Sequence, residues 1–170
     1  YLSDFFRTSL SNGQNFITIQ EEQRHIESYL KIQQFRYQDT LAYNIDIDKA
    51  LYNFTIPKLL LQPLVENALV HGIRGKRGKG TISVTGRLEG GNIVFCVTDD
   101  GVGMDEEQLY NLRKASVNGS TQSANIAAFG VGNVNERIHI YYGENYGLFF
   151  KSQPNVGTTA RVVIPARNVS

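Results

Sequence analysis

"LLLQPLVENALVHG", residues 59–72, reads as an apolar helical run interrupted by Glu66, Asn67 and His71. Burying an amide or a carboxylate without partners costs about 1 to 3 kcal/mol, and more for a charge, so this stretch needs something to satisfy its polar groups. On a helical wheel Asn67 and His71 share a stripe with Leu60 and Leu64, and Glu66 lies one step round. Leu61, Val65, Ala68 and Leu69 cover another sector, so the polar atoms are expected to converge. Taken alone, the same pattern also describes a helix whose polar edge meets solvent. Pro57 suits the first turn of this helix, where its absent N–H does no harm. Pro63, further in, predicts a kink or a fresh start.

Upstream, "TIQEEQRHIESYLKIQQFRY" opens with Thr18 and Glu21 at capping-box spacing. Ile26, Leu30, Gln33 and Tyr37 then recur at helical spacing, predicting a long helix to about Tyr37. "LAYNIDID" alternates as a strand does. Downstream, "TISVTGRL" and "NIVFCVTD" flank "EGG", and "GLFFKSQ" and "TARVVIP" are joined by "PNVG", so two hairpins are expected. "MDEEQLYNLRK" predicts a short helix with acids in its first turn. "SVNGSTQSANIAAFG" predicts a mobile loop, followed by a helix over "NVNERIHIYYG" that Gly143 stops. The expected architecture is α+β, a two-layer sandwich with about three helices on a mixed, mostly antiparallel five-stranded sheet, preceded by a long N-terminal helix.

The chain has 170 residues, 41% hydrophobic, which predicts one globular domain with a short appendage. Its 17 basic and 16 acidic residues leave a net charge of +1, arguing against nonspecific binding to nucleic acid or an acidic membrane. The single cysteine, Cys96, excludes a disulfide framework and is expected to pack as a small buried hydrophobe. No run approaches the ~18 apolar residues of a membrane span. The chain opens on Tyr1 directly in "YLSDFFRTSL", which suggests a piece of a longer protein.

Three further segments carry chemistry. "VTDDGVGMD" places Asp99, Gly101 and Gly103 as D-x-G-x-G after a strand, where glycines allow close approach and the carboxylate accepts hydrogen bonds. "AAFGVGNVNERI" sets a glycine-containing loop ahead of a helix, suited to phosphate. "PNVGTTARVVIP" adds a Gly-Thr turn at Gly157 and Thr158. None of these is a Walker or G-x-G-x-x-G motif. The basic stretch "RGKRGKG", residues 74–80, reads as a solvated connector.

Together, "YLKIQQFRY", "IPKLLLQPLVENALVHG", "DDGVGM" and "NVNERIHIYYG" resemble the ATP-binding catalytic domain of sensor histidine kinases of the LytS/YesM type, in the superfamily shared with gyrase, Hsp90 and MutL. The resemblance implies the Bergerat fold, with residues 1–38 the end of a dimerisation and phosphotransfer region and 39–170 the ATP-binding domain. It implies ATP and Mg2+ as cofactors, Asn67 as the Mg2+ ligand and Glu66 as polarising group or base. It gives Asp99 the adenine amine, lets Gly101 and Gly103 admit base and lid, sets Gly130 and His71 near the phosphates, and puts Gly157 and Thr158 near the adenine end. Ala128 stands where the family's G-x-G-[LIV] has its first glycine. The implied parent is a homodimeric bacterial membrane sensor with this domain in the cytoplasm, donating phosphate to a histidine and thence to a response regulator. The acceptor's N-P-H-F type motif does not occur here, and His25 and His139 read as helix-face histidines. Alternatives are a serine-directed kinase or ATPase of the superfamily, or a non-catalytic nucleotide-binding module.

Overall fold

The computed structural model describes residues 15–37, 40–118 and 126–168. Strand β1 (Phe16–Thr18) leads into helix α1 (Ile19–Tyr37), then come β2 (Leu41–Ile47), a 3-10 turn (Lys49–Leu51) and β3 (Thr55–Pro57). Helix α2 (Gln62–Asn67) runs on as a π-helical segment (Ala68–Ile73) into the hairpin β4 (Gly80–Glu89) and β5 (Asn92–Asp99). Helices α3 (Glu106–Asn118) and α4 (Ile126–Tyr142) precede the last hairpin, β6 (Gly147–Gln153) and β7 (Gly157–Pro165).

The large sheet has five strands in the order β2-β4-β5-β7-β6, and β1 pairs with β3 in a two-stranded ribbon. Only β2 with β4 is parallel; the other neighbours in the large sheet are antiparallel. This is the expected mixed, hairpin-dominated α+β layer, with α2 in the β2-to-β4 crossover. Alternation along the strands turns Ile82, Val84, Phe95, Val97 and Val162 into the core. There they meet Leu64, Val65 and Leu69 from the α2 segment and Val134 and Ile138 from α4. The opposite face carries Thr85 and Thr98, and Cys96 lies there half-buried rather than in the core. The period of two decides this: its neighbours Phe95 and Val97 take the inward positions.

Local chemistry sets the element ends. Thr18 and Glu21 form the predicted capping box: the Thr18 amide donates to Glu21 Oε2 at 2.7 Å and the Glu21 amide to Thr18 Oγ1 at 3.2 Å. Asp105 and Gln108 repeat it at α3, with the Gln108 amide 2.8 Å from Asp105 Oδ1. Gly90 and Gly91 turn the first hairpin at φ 55° and 80°, and Gly143 ends α4 at φ 91°.

The expectations about proline and glycine divide. Pro63 does sit at a fresh start, in the first turn of α2. Pro57 does not open a helix; it ends β3 opposite Phe16, because the ribbon to β1 holds this segment extended. The glycine-containing segment 127–132 is not a loop ahead of a helix, because α4 already begins at Ile126 and Gly130 and Gly132 lie inside it. Two interior glycines disfavour helix by about 1 kcal/mol each, and burial of Val131, Val134 and Ile138 on one stripe overrides that. Of the predicted loop 116–130, residues 119–125 lie outside the described residues. No helix among the described residues is long and apolar enough to cross a membrane.

Asn135, 4% exposed, ties α4 to its neighbours by donating to Ser116 O of α3 at 3.0 Å and accepting from the Leu148 amide of β6 at 2.8 Å. Asn135→Ala leaves both backbone groups buried and unpaired, so urea unfolding should show a loss of about 2 to 4 kcal/mol.

Candidate functional site

A cavity of about 470 Å³ opens between the α2 segment, α3 and the inner face of the sheet. The stripe read from the sequence forms one wall: Leu64, Asn67 and His71 all line it. Asn67 is half-buried and His71 exposed at the mouth. Asn67 makes no side-chain cap hydrogen bond at the start of the π-helical segment.

Asp99 forms the floor at the end of β5, 5% exposed and open to the cavity. The Gly101 amide donates to its Oδ1 at 2.9 Å. Burial pushes this carboxyl up to about 6, against the opposing pull of the Gly101 and Thr158 amides. It is a hydrogen-bond acceptor in a place where burial disfavours its charge.

The backbone around Asp99 explains the glycines. A Cβ on Gly72 would lie 2.3 Å from Asp99 Oδ1, and one on Gly101 would lie 2.3 Å from the Gly72 carbonyl. Gly103 has φ 65° and a Cβ there would meet the Gln153 oxygen at 2.0 Å. At Gly157, φ 128°, it would meet the Asp99 oxygen at 1.9 Å. Three chain segments thus cross at backbone contact, locked by Val102 N to Gly72 O at 3.1 Å and Asn155 N to Val102 O at 2.7 Å. Gly72 reaches this crossing from the π-helical segment, whose wider turn is a common feature of functional sites. Thr158 lines the cavity, its hydroxyl 2.8 Å from Ser152 Oγ.

Other expected residues lie elsewhere. Glu66 is not among the cavity-lining residues; its Oε1 accepts from Gln62 Nε2 at 2.6 Å on the side facing α1. The polar groups of the opening stretch therefore split between two directions instead of converging on one. Gly101 supports Asp99 from beneath, and Gly130 is half-buried within α4, neither lining the cavity. In the basic stretch, Lys76 pairs with Asp100 at 3.0 Å and Arg74 stacks over Tyr37, as befits a connector.

The sequence reading did not anticipate Met104, Gln108, Asn111, Leu112 and Phe150 in the cavity wall. Gln108, Asn111 and Leu112 are spaced three and four apart on α3, so one face of that helix was a legible candidate. Residues 55–168, which include all these walls, match the family described as histidine kinase-, DNA gyrase B-, and HSP90-like ATPase.

The chain belongs to this ATPase family.

Residues 1–41 match a second family, described as histidine kinase. Among curated relatives the chain is 33% identical over 167 residues to the sensor histidine kinase YesM of Bacillus subtilis, covering 98% of the chain and 27% of YesM. It is 31% identical over 169 residues to the sensor protein LytS of Staphylococcus haemolyticus, covering 99% and 28%. The chain thus spans about a quarter of the length of these relatives. Of solved structures, the histidine kinase domain of the blue-light activated kinase from Erythrobacter litoralis EL346 superposes with TM-score 0.62 at 17% identity, over 97% of this chain and 71% of that one. The catalytic domain of histidine kinase ThkA superposes with TM-score 0.64 at 16% identity, over 89% and 95%. At these identities the likeness concerns the fold.

The pocket of this ATPase-family domain suits a nucleotide in size, lying within the roughly 300 to 1,000 Å³ of small-molecule sites. The donor set also fits Mg2+. Among the described residues no group of three or more His, Cys, Asp or Glu side chains could hold a metal. Asn67, which lines the cavity, would offer such a cation an amide oxygen, a hard donor of the kind Mg2+ accepts.

Proposed function

We propose that the cavity binds ATP with Mg2+ and that this domain passes the γ-phosphate to a histidine on another part of the parent chain. The observation that carries the reading is the pairing, across one cavity, of a buried glycine-bounded acceptor, Asp99, with an amide ligand, Asn67. Asp99 accepts the exocyclic amine of adenine, with Gly103 and Thr158 at that end. Asn67 would hold the Mg2+, which when bound would neutralise phosphate charge. His71 at the mouth and Gly130 on α4 stand on the phosphate side. Glu66 acts as the polarising or basic group, a role that requires its carboxylate to leave Gln62 and turn inward.

Residues 1–38 then end the dimerisation and phosphotransfer region, and 39–170 form the catalytic domain of a homodimeric membrane sensor, acting in the cytoplasm with a response regulator as its partner. His25, 1% exposed, is no accessible nucleophile, which fits an acceptor elsewhere. Titrating ATP with and without Mg2+ tests the pocket: Mg2+-dependent binding is expected, and no binding in either condition overturns the reading. Supplying the upstream histidine-bearing segment in trans with labelled ATP tests the transfer. The product should be labile to acid and stable to base, whereas an acid-stable product points to a serine kinase.

A further inference from the structure

Helix α1 touches the pocket-bearing helix through polar groups at a place where that helix cannot satisfy itself. α2 begins after Leu61 with no side-chain cap of its own, and the first amides of a helix need acceptors. Glu22 supplies one from α1. Its side chain is fully buried, and its carboxylate accepts from the Leu59 amide at 3.1 Å and the Leu61 amide at 2.8 Å. On the other side Arg137 of α4 donates to the Lys58 carbonyl at 2.6 Å and to the Leu59 carbonyl at 3.4 Å. Between them Leu59 adopts φ 58°, a left-handed conformation that a leucine holds only when its surroundings impose it.

One turn along α1, His25 Nε2 meets Gln62 Oε1, and Gln62 Nε2 donates to Glu66 Oε1 at 2.6 Å. The direction of this chain follows from its last link. Because the Gln62 amide nitrogen is committed to Glu66, only its oxygen faces His25, so Nε2 of His25 must carry the hydrogen. Glu66 is the neighbour of Asn67 on α2, and Asn67 lines the cavity.

We propose that α1 is a positioning element of the nucleotide site: Glu22 caps α2 in place of a local residue, and His25, through Gln62, anchors α2 by holding Glu66 on the α1 side. Docking of α1 thereby fixes α2 and with it the place of Asn67 in the cavity wall, while Glu66 is held on the α1 side. This rests on the reading of the pocket as an ATP–Mg2+ site. It also cuts across the division at residue 38, since a domain severed there keeps the cavity walls and loses the groups that orient one of them. A shift of α1 relative to α2 would then reach the metal ligand within one helical turn.

The test uses the chain of residues 1–170. His25→Gln keeps an N–H donor near the place of Nε2, whereas His25→Leu keeps bulk and removes the donor. His25→Leu should weaken Mg2+-dependent ATP binding about tenfold, the scale of one buried hydrogen bond. In the ligand-free protein it should also speed amide exchange over 61–67 while β4 and β5 stay protected. His25→Gln should restore both to within about twofold, since the donor and not the ring is what Gln62 requires. Glu22→Gln, which preserves volume, should speed exchange at Leu59 and Leu61 and carries the test if His25→Leu does not fold. Unchanged exchange and affinity in His25→Leu, or a His25→Gln as impaired as His25→Leu, would overturn the proposal. If the parent chain shows no Mg2+-dependent ATP binding, the pocket reading fails separately, and the exchange measurements still decide the role of α1.

Discussion

Asp99→Asn should weaken ATP binding and, at neutral pH, make the ligand-free protein more stable. The carboxyl sits near 6 in the fold against an ordinary 3.8 because burial disfavours its charge. Ionising it at pH 7.5 therefore costs the folded state about 2 to 3 kcal/mol, which the neutral amide avoids. The sign is that of a raised carboxyl: the stabilisation that protonation brings is fully present below about pH 4 and is lost as pH rises through about 6. The gain from Asp99→Asn should accordingly be seen in thermal melts at pH 7.5 and vanish at pH 4.

Binding should move the other way. The Gly101 amide keeps one oxygen of residue 99 occupied, so the new amide turns its NH2 toward the adenine amine, donor against donor. A loss of about 1.5 to 3 kcal/mol, roughly tenfold to more than a hundredfold, follows for ATP. GTP presents an acceptor at the corresponding position and should lose less, and inorganic triphosphate should bind as before. In the parent, ATP affinity should fall about tenfold from pH 7 to pH 5 as the carboxyl protonates. The Asn variant should lack that component, which separates it from titration of the nucleotide phosphates. Equal loss for ATP and triphosphate would contradict the assignment of Asp99 to the base.

Asn67→Ala should abolish the difference between ATP affinities measured with and without Mg2+. The side chain is half-buried and makes no cap hydrogen bond at the start of the π-helical segment, so its removal should leave the melting temperature nearly unchanged. A loss on the order of 2 kcal/mol, about 30-fold, is expected in Mg2+ and little in its absence, the scale of one contact to a charge. Asn67→Asp, which retains an oxygen ligand, should keep the metal dependence. Calorimetric titrations with Mg2+ and with EDTA check this, and an undiminished Mg2+ effect in the alanine variant would remove Asn67 from the metal.

Elements governed by neighbours in sequence were legible without the structure. The Thr18–Glu21 box, the Gly90–Gly91 hairpin and the Gly143 stop each depend on backbone stereochemistry within four residues. So does the stripe of Leu64, Asn67 and His71, whose spacing alone puts them on one helix face. Asp99 with its following glycines was legible as an acceptor at a strand end, although not the reason Gly72 must also be glycine. That reason is a contact between segments far apart in the chain.

The direction of Glu66 was decided only in three dimensions. A wheel gives its angle on α2, but the side chain goes where Gln62 and His25 await it, and α1 brings them there. The helical state of residues 126–132 was likewise settled by packing: two glycines argue for a loop locally, and Val131, Val134 and Ile138 win by burial. By itself, then, the sequence determined the family, most of the elements and the helix face and strand end that carry Asn67 and Asp99, because those depend on short-range geometry and residue chemistry. Only the tertiary structure decided which side chains share a cavity and which are held away from it, because a buried polar group takes whatever partner long-range docking places within reach.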